Sequence, residues 1–340
     1  MSTTRMLDLL QPAAAAANVI NSINDSEIPG SKSSASCAIE PAKKAEPVSL
    51  AEHAISVSYQ IPYTELKTQR LIGSGTYAVV YAGSWRGMPI AMKQLKCPAK
   101  YLEEFKKEAA IMQTIQSLNL PDVVQYAGYS KNDRGSHLIV MELVPWKDGF
   151  DWAKANMDMC SAGQPARYAL FRNIAIGIGH LHANDILHRD LKLENTLISD
   201  NLEIKLADFG WAIKVDCYAS AYLGSERVGT ANYMAPEIIK FNQYSFASDM
   251  FAFGSMLFAL CEHYDALCYE GWTELKIMNY IGNHGMAKVP ISDKTEPAIA
   301  ALIRSCWQTD ASKRPTASEA VAIIDAIAQH ANVMNRKTSS

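Results

Sequence analysis

Residues 188–195 read HRDLKLEN, which gathers a histidine, an arginine, an aspartate, a lysine, a glutamate and an asparagine into eight positions. The surrounding NDILHRDLKLENTLI follows neither a helical nor a strand period, so these side chains are expected on a loop between two short apolar strands. A further acidic group follows where the apolar run KLADFGWA breaks at Asp208, Phe209 and Gly210. Alone, Asp208 would read as a turn opener, the usual part of such a triplet. With Asp190 and Asn195 it supplies three oxygen-bearing side chains on two neighbouring loops. That set suits Mg²⁺, which takes a few carboxylates and completes its shell with phosphate oxygens.

A cation is placed upstream. In IAMKQL the strand alternation puts Ala91, Lys93 and Leu95 on one face. An exposed strand lysine is the ordinary alternative, and the next segment decides against it. In AKYLEEFKKEAAIMQTIQSL, Glu108 falls inside the stripe Tyr101, Phe105, Met112, Ile115 at helical spacing. A carboxylate there is costly unless it meets a cation, so Lys93 and Glu108 are expected as a buried pair, with Glu104 on the surface beside Lys100 and Lys107. Ahead of both lies GSGTYAVV, Gly73 to Val80, between two strand-like runs. Glycine spacing alone fits a plain hairpin turn. A strand–loop–strand setting can also fold backbone amides over phosphates, whereas a dinucleotide fold would need a helix directly after the loop.

The elements that must position these groups follow from the pattern. Residues 59–95 read as a three-stranded antiparallel meander, an amphipathic helix follows Pro98, and DVVQYAGYS and SHLIVMELV add two strands. After position 145 the period turns helical: RYALFRNIAIGIGHLHAN stacks Leu170, Ile174, Ile178 and Leu181, and further helices fit near 245–262, 272–282, 296–308 and 316–331. A small sheet lobe followed by a helical lobe leaves a cleft between them. The 340 residues, 49% hydrophobic, can build such a core, and a net charge of −3 offers no basic field for nucleic acid or anionic membranes. Seven scattered cysteines without a C-x-x-C pair favour free thiols in a reducing compartment, so a cytoplasmic location is expected. No run of 18 apolar residues is present to span a membrane. Residues 1–55, rich in Ala, Ser, Lys and Glu, are expected as a disordered tail, with delivery to another cell as an alternative use of LLQPAAAAANVINS.

Taken in order, GSGTYAVV, IAMK, Glu108, HRDLKLEN, DFG, GTANYMAPE, SDMFAFG and CWQTDASKRPT make residues 66–330 resemble a eukaryotic-type protein kinase. The resemblance implies an α+β, bilobal fold: a small five-stranded antiparallel N-lobe with one helix, about 60–143, and a larger, mainly helical C-lobe, about 144–332. The domain would run 56–335, with 336–340 a short tail. ATP would bind with its phosphates under Gly73, Ser74, Gly75 and Thr76 and against Lys93, held by Glu108. Val80, Ala91 and Leu197 would sandwich the adenine, Met141 would gate the back of the pocket and Glu142 to Val144 would form the hinge. Asn195 and Asp208 would hold Mg²⁺, Asp190 would accept the substrate hydroxyl proton, and Lys192 would stabilise the transferring phosphoryl. His188 would pack on Phe209, Asp249 would brace the catalytic loop, and Glu237 would pair with Arg314. Lys192 and Thr230 mark the Ser/Thr form, so the partner would be a protein carrying Ser or Thr acceptors. AGSWRG and the CW…RPT segment are similar to the tyrosine-kinase-like group.

Two departures qualify the match. Ala78 stands where the family has its third loop glycine, which would stiffen the loop and is the one feature favouring a pseudokinase scaffold. Trp211 after the DFG is bulkier than usual and is expected to favour Ser over Thr acceptors. Arg189 beside Asp190 is an expected regulatory partner for a phosphate on the activation segment, at Ser220 or Ser225, or at Tyr218 or Tyr222, with Lys214 a second cation.

Overall fold

Strand β1 (Leu66–Ser74) pairs antiparallel with β2 (Ala78–Trp85), and two register shifts, at Thr68/Arg70 and Leu71/Gly73, bend it. The chain reverses into β3 (Met88–Leu95) through Arg86 (φ 49) and Gly87 (φ 82), the two positive φ values that let a two-residue loop follow the strands' right-handed twist. The computed structural model describes residues 59–75, 77–156, 164–215, 221–262, 271–286 and 289–338; the expected tail 1–55, Thr76, Tyr218 and Ser220 lie outside them. On β3, Ile90 and Met92 join Ile61, Leu138 and Val140 in a satellite core, and Leu95 joins the main one.

Helix α1 (Pro98–Leu118) begins on a proline, which needs no hydrogen-bonded N–H there, and stops at Asn119 in the left-handed region (φ 49, ψ 49). Its buried stripe includes Phe105, Met112 and Ile115, with Glu108 among them. The expected strand DVVQYAGYS is shorter than its sequence pattern. Val123 bridges to Leu206 of the second lobe, and β4 begins only at Tyr126 (Tyr126–Lys131). Strand β5 (His137–Glu142) inserts beside β3, which gives the five-stranded order β1-β2-β3-β5-β4.

The second lobe opens with β6 (Lys147–Asp148), then α2 (Gly149–Ala155), capped by the Asp148 carboxylate accepting from Asp151 N at 2.9 Å. In α3 (Pro165–His182) the stripe Leu170, Ile174, Ile178, Leu181 is wholly buried, as its spacing requires. Short strands β7 (Ile186–Leu187), β8 (Thr196–Ile198), β9 (Ile204–Leu206), β10 (Ile213–Lys214) and β11 (Tyr222–Leu223) follow, then α4 (Pro236–Phe241) and β12 (Gln243–Tyr244). They form a β6-β8-β9 sheet and the pairs β7–β10 and β11–β12. Each of these strands has two or three residues, too few to show a period in the sequence. Helix α5 (Phe246–Cys261), with a capping box of Ser245 and Ser248, is buried along nearly its whole length, as an almost entirely apolar helix must be. Helices α6 (Glu274–His284), α7 (Pro297–Cys306) and α8 (Ala317–Thr338) complete the lobe. Among the described residues no helix is long and apolar enough to cross a membrane.

Candidate active site

The loop 188–195 runs from β7 to β8, as its irregular pattern predicts, and ends in a 3₁₀ turn over Leu193–Asn195. Asp249, in the first turn of α5, holds its start. One carboxylate oxygen accepts from His188 N at 3.0 Å and the other from Arg189 N at 3.1 Å, and His182 Nε2 lies 3.1 Å away. Burial alone would raise the Asp249 carboxyl, but the bond to His182 and the neighbouring histidine charge keep it below the ordinary range. His188 is committed to structure: its ring packs 5.0 Å from Phe209, Nε2 meets Ala207 O at 3.1 Å, and Nδ1 faces the Asp190 amide. It has no nitrogen left for acid–base work.

Asp190, next after Arg189 in this loop, is buried. Thr230 Oγ1 donates to its Oδ1 at 2.7 Å, Lys192 Nζ donates to Thr230 Oγ1 at 2.9 Å, and Lys192 Nζ also stands 3.2 Å from Asp190 Oδ2. Asn195 Nδ2 donates to Asp190 O at 2.9 Å and Oδ2 at 3.1 Å. A lysine, a threonine from 40 residues downstream and an asparagine amide thus fix one carboxylate. That arrangement can orient a hydroxyl and receive its proton.

Above it, Lys93 is buried on β3 and its Nζ lies 2.6 Å from Glu108 Oε1 and 2.8 Å from Asp208 Oδ1. Burial opposes the ammonium charge, yet the two carboxylates outweigh it and hold Lys93 above its ordinary value. Burial raises Glu108 while Lys93 pulls the other way, and Glu108 Oε2 has no hydrogen-bond partner. Asp208, at φ 58, would be raised by burial but is carried below the usual carboxylate range by Lys93. The Lys93 ammonium is thereby tied to one carboxylate from α1 and to another from the segment after β9.

The cleft beside this cluster holds about 570 Å³ and is lined by Gly73, Gly75, Val80, Ala91, Met141, Val144 and Leu197, all expected there. Ile72, Val124 and Ala207 also line it, and their apolar character carried no signal that separated them from core. Two expected residues behave differently. The Ser74 hydroxyl accepts from Lys96 Nζ at 3.2 Å. One oxygen of the Glu142 carboxylate accepts from Lys205 Nζ at 2.6 Å and from Gln125 N at 2.8 Å, which turns that side chain toward the lobe junction.

Tyr77 had no assigned role, although an aromatic inside a glycine loop of small residues was a usable signal. It lines the cleft with its hydroxyl accepting from Lys93 Nζ at 3.3 Å and its ring 5.1 Å from that nitrogen. The hydroxyl stands close over Gly210, where a side chain would push the ring aside. Burial, then the nearby Glu108 charge, raises the phenol well above its ordinary range. Ala78, at the family's third glycine position, is the first, buried residue of β2, and its carbonyl accepts from Gly75 N at 2.9 Å. Glu237 and Arg314 pair at 2.6 and 2.8 Å, far from the cleft. Ser225 is exposed.

A protein kinase domain family model matches residues 66–323. Similar curated proteins include the probable serine/threonine-protein kinase drkC of Dictyostelium discoideum, 30% identical over 270 residues, 78% of this chain and 35% of that protein. Serine/threonine-protein kinase STY46 of Arabidopsis thaliana is 31% identical over 276 residues, 80% of this chain and 46% of that protein. Serine/threonine/tyrosine-protein kinase HT1 of Arabidopsis thaliana is 28% identical over 260 residues, 74% of this chain and 64% of that protein. The chain therefore spans less than half the length of the first two.

Proposed function

The chain belongs to the protein kinase domain family, and from that premise we propose that it transfers the γ-phosphoryl group of ATP to serine and threonine hydroxyls of protein substrates. One observation carries the reading: Lys192, Thr230 and Asn195 converge on the Asp190 carboxylate below the Lys93–Glu108 pair. In this reading Asp190 takes the proton of the acceptor hydroxyl as the hydroxyl oxygen bonds to the γ-phosphorus and the bond from that phosphorus to the β,γ-bridging oxygen breaks, releasing ADP. Lys192 faces the charge that develops on the transferring group, and Lys93 meets the remaining phosphates. The Lys192–Thr230 bond supports a Ser/Thr acceptor. The cleft falls within the range typical of small-ligand sites, and its apolar walls favour the adenine ring.

The donor set also fits Mg²⁺. Asp208 is held ionised, and Asn195, with its amide nitrogen committed to Asp190, keeps its side-chain oxygen as a hard donor. Two such ligands leave room for phosphate oxygens, and Mg²⁺ bound there would neutralise phosphate charge. A reducing, cytoplasmic setting belongs to the same proposal and rests on the scattered cysteines of the sequence.

The test is phosphoryl transfer from ATP with Mg²⁺ to a generic protein substrate by wild type, Asp190→Asn and Lys93→Met, with phosphoamino-acid analysis of the product. Transfer by wild type alone, giving phosphoserine or phosphothreonine, is the expected result. ATP binding without transfer in wild type would favour a scaffold, and phosphotyrosine as the main product would overturn the acceptor assignment.

A further inference from the structure

Arg189, next to the catalytic aspartate, has its backbone in the left-handed region (φ 65) and its Nε donating to Trp211 O at 2.6 Å. Among the described residues, no carboxylate lies within ion-pair distance of its guanidinium. Two aromatic rings face it instead: the guanidinium carbon is 5.4 Å from the Tyr222 ring centre and 5.1 Å from that of Tyr244. The rings stand 6.4 Å apart, tilted by 42°, and form a concave seat with their electron-rich faces toward the cation. Tyr222 and Tyr244 are direct partners in the β11–β12 pair, so one short ladder carries both halves of the seat.

The seat is also wired to the acceptor side of the active site. The Tyr244 hydroxyl accepts from Val228 N at 2.7 Å and donates to Val228 O at 3.1 Å. Gly229 then passes so close over the Arg189 backbone that a Cβ would stand 2.7 Å from the Arg189 carbonyl oxygen; its φ of 109 suits only glycine. The next residue is Thr230, which bonds both Asp190 and Lys192.

Resting on the kinase reading, we propose that the Tyr222 and Tyr244 rings take the place of an activation-segment phosphate. They hold Arg189 and, through Trp211 and Val228, keep Thr230 against Asp190 in the unmodified chain. Tyr222 and Tyr244 are then positioning residues for phosphoryl transfer. A phosphate on Ser225 is not needed to order the described part of the segment.

The experiment compares phosphatase-treated wild type, Tyr222→Phe and Tyr222→Ala, each shown by intact mass to carry no phosphate. It reads peptide and ATP kinetics, hydrogen exchange over residues 221–230, and melting temperature. Dephosphorylated wild type should keep its rate and a slowly exchanging Val228 amide. Tyr222→Phe, which retains the ring, should stay within about twofold of it. Tyr222→Ala should lose protection across 221–230 and raise peptide KM about fivefold or more, with ATP KM unchanged. A large loss of rate on dephosphorylation of wild type, or fast exchange of 221–230 in its unphosphorylated form, would overturn the proposal. So would Tyr222→Ala behaving like Tyr222→Phe. If Tyr222→Ala fails to fold, the wild-type and Tyr222→Phe arms still decide. Absence of transfer in every form with the exchange pattern as described would instead remove the kinase reading and leave the seat standing.

Discussion

Among the described residues, the Arg314–Glu237 and Lys93–Glu108 ion pairs are both buried, and they differ in what they leave over. Arg314, with no exposed side-chain surface, gives Nη1 and Nη2 to Glu237, Nη1 to Ala247 O and Nε to Gln308 O. Lys93 and Glu108 are similarly buried, yet Glu108 Oε2 is unpartnered and the Lys93 ammonium is shared with Asp208 and Tyr77. A saturated pair can only hold its neighbours in place. An unsaturated one keeps the capacity to take a ligand, at the cost of a less comfortable interior. Completeness of bonding, more than burial, separates scaffold from site here.

Substitution should expose the contrast. Glu237→Ala leaves a buried guanidinium without its anion and should cost about 3–5 kcal/mol in urea unfolding, with activity following the folded fraction. A cost below about 1 kcal/mol would mean that the carbonyls alone satisfy Arg314. Lys93→Met should invert the pattern. Burial already favours protonation of Glu108, so that carboxyl can go neutral when its partner leaves, and stability should fall by less than about 1.5 kcal/mol. Phosphoryl transfer should drop about 10²–10³-fold, roughly 3–4 kcal/mol of transition-state stabilisation. Equal melting losses for the two variants would erase the distinction.

Asp249 tests a third case, a buried carboxylate fully bonded but serving the catalytic loop. Its folded-state pKa is lowered, so its contribution to stability is present above the unfolded carboxylate value, about 4, and is lost as pH falls through the folded one. Stability of wild type should decline on acidification below about pH 4, and Asp249→Asn should show a shallower decline in urea titrations across that range. At neutral pH the variant should lose about 1–2 kcal/mol of stability. Its kcat should fall with ATP KM held, because the loop, and not the cleft, loses its brace. An unchanged kcat would show that His182 and the loop backbone suffice.

The smallest effect belongs to Tyr77. Tyr77→Phe keeps the ring and removes only the hydroxyl that competes for Lys93, so ATP KM should fall by about two- to threefold, well under 1 kcal/mol. Steady-state kinetics with varied ATP check it, and a rise in KM would mean that the hydroxyl assists the nucleotide.

The expectations that held longest came from side chains whose neighbours lie within one helical turn or one strand period. The α3 stripe, the burial of Glu108 within α1 and the alternation that separates Ile90 and Met92 from Ala91 and Lys93 are all of this kind. Glu108 was also legible as half of a pair, since a carboxylate in an apolar stripe demands a cation. Residues joined across long stretches of chain were not legible in that way. Val123 crosses to Leu206, the Glu142 carboxylate binds Lys205 63 residues away, and Tyr77 folds inward onto Lys93. The short strands β6 to β12 were hidden for a different reason, their lack of length.

By itself, then, the order of residues determined the family motifs, the main helices and the five strands of the small lobe, because periodicity and spacing are local properties of the chain. Which polar groups are saturated and which stay available was decided only by the tertiary structure. Hydrogen-bond completeness depends on every group that folding brings alongside, as the aromatic seat of Arg189 and the leftover oxygen of Glu108 both show.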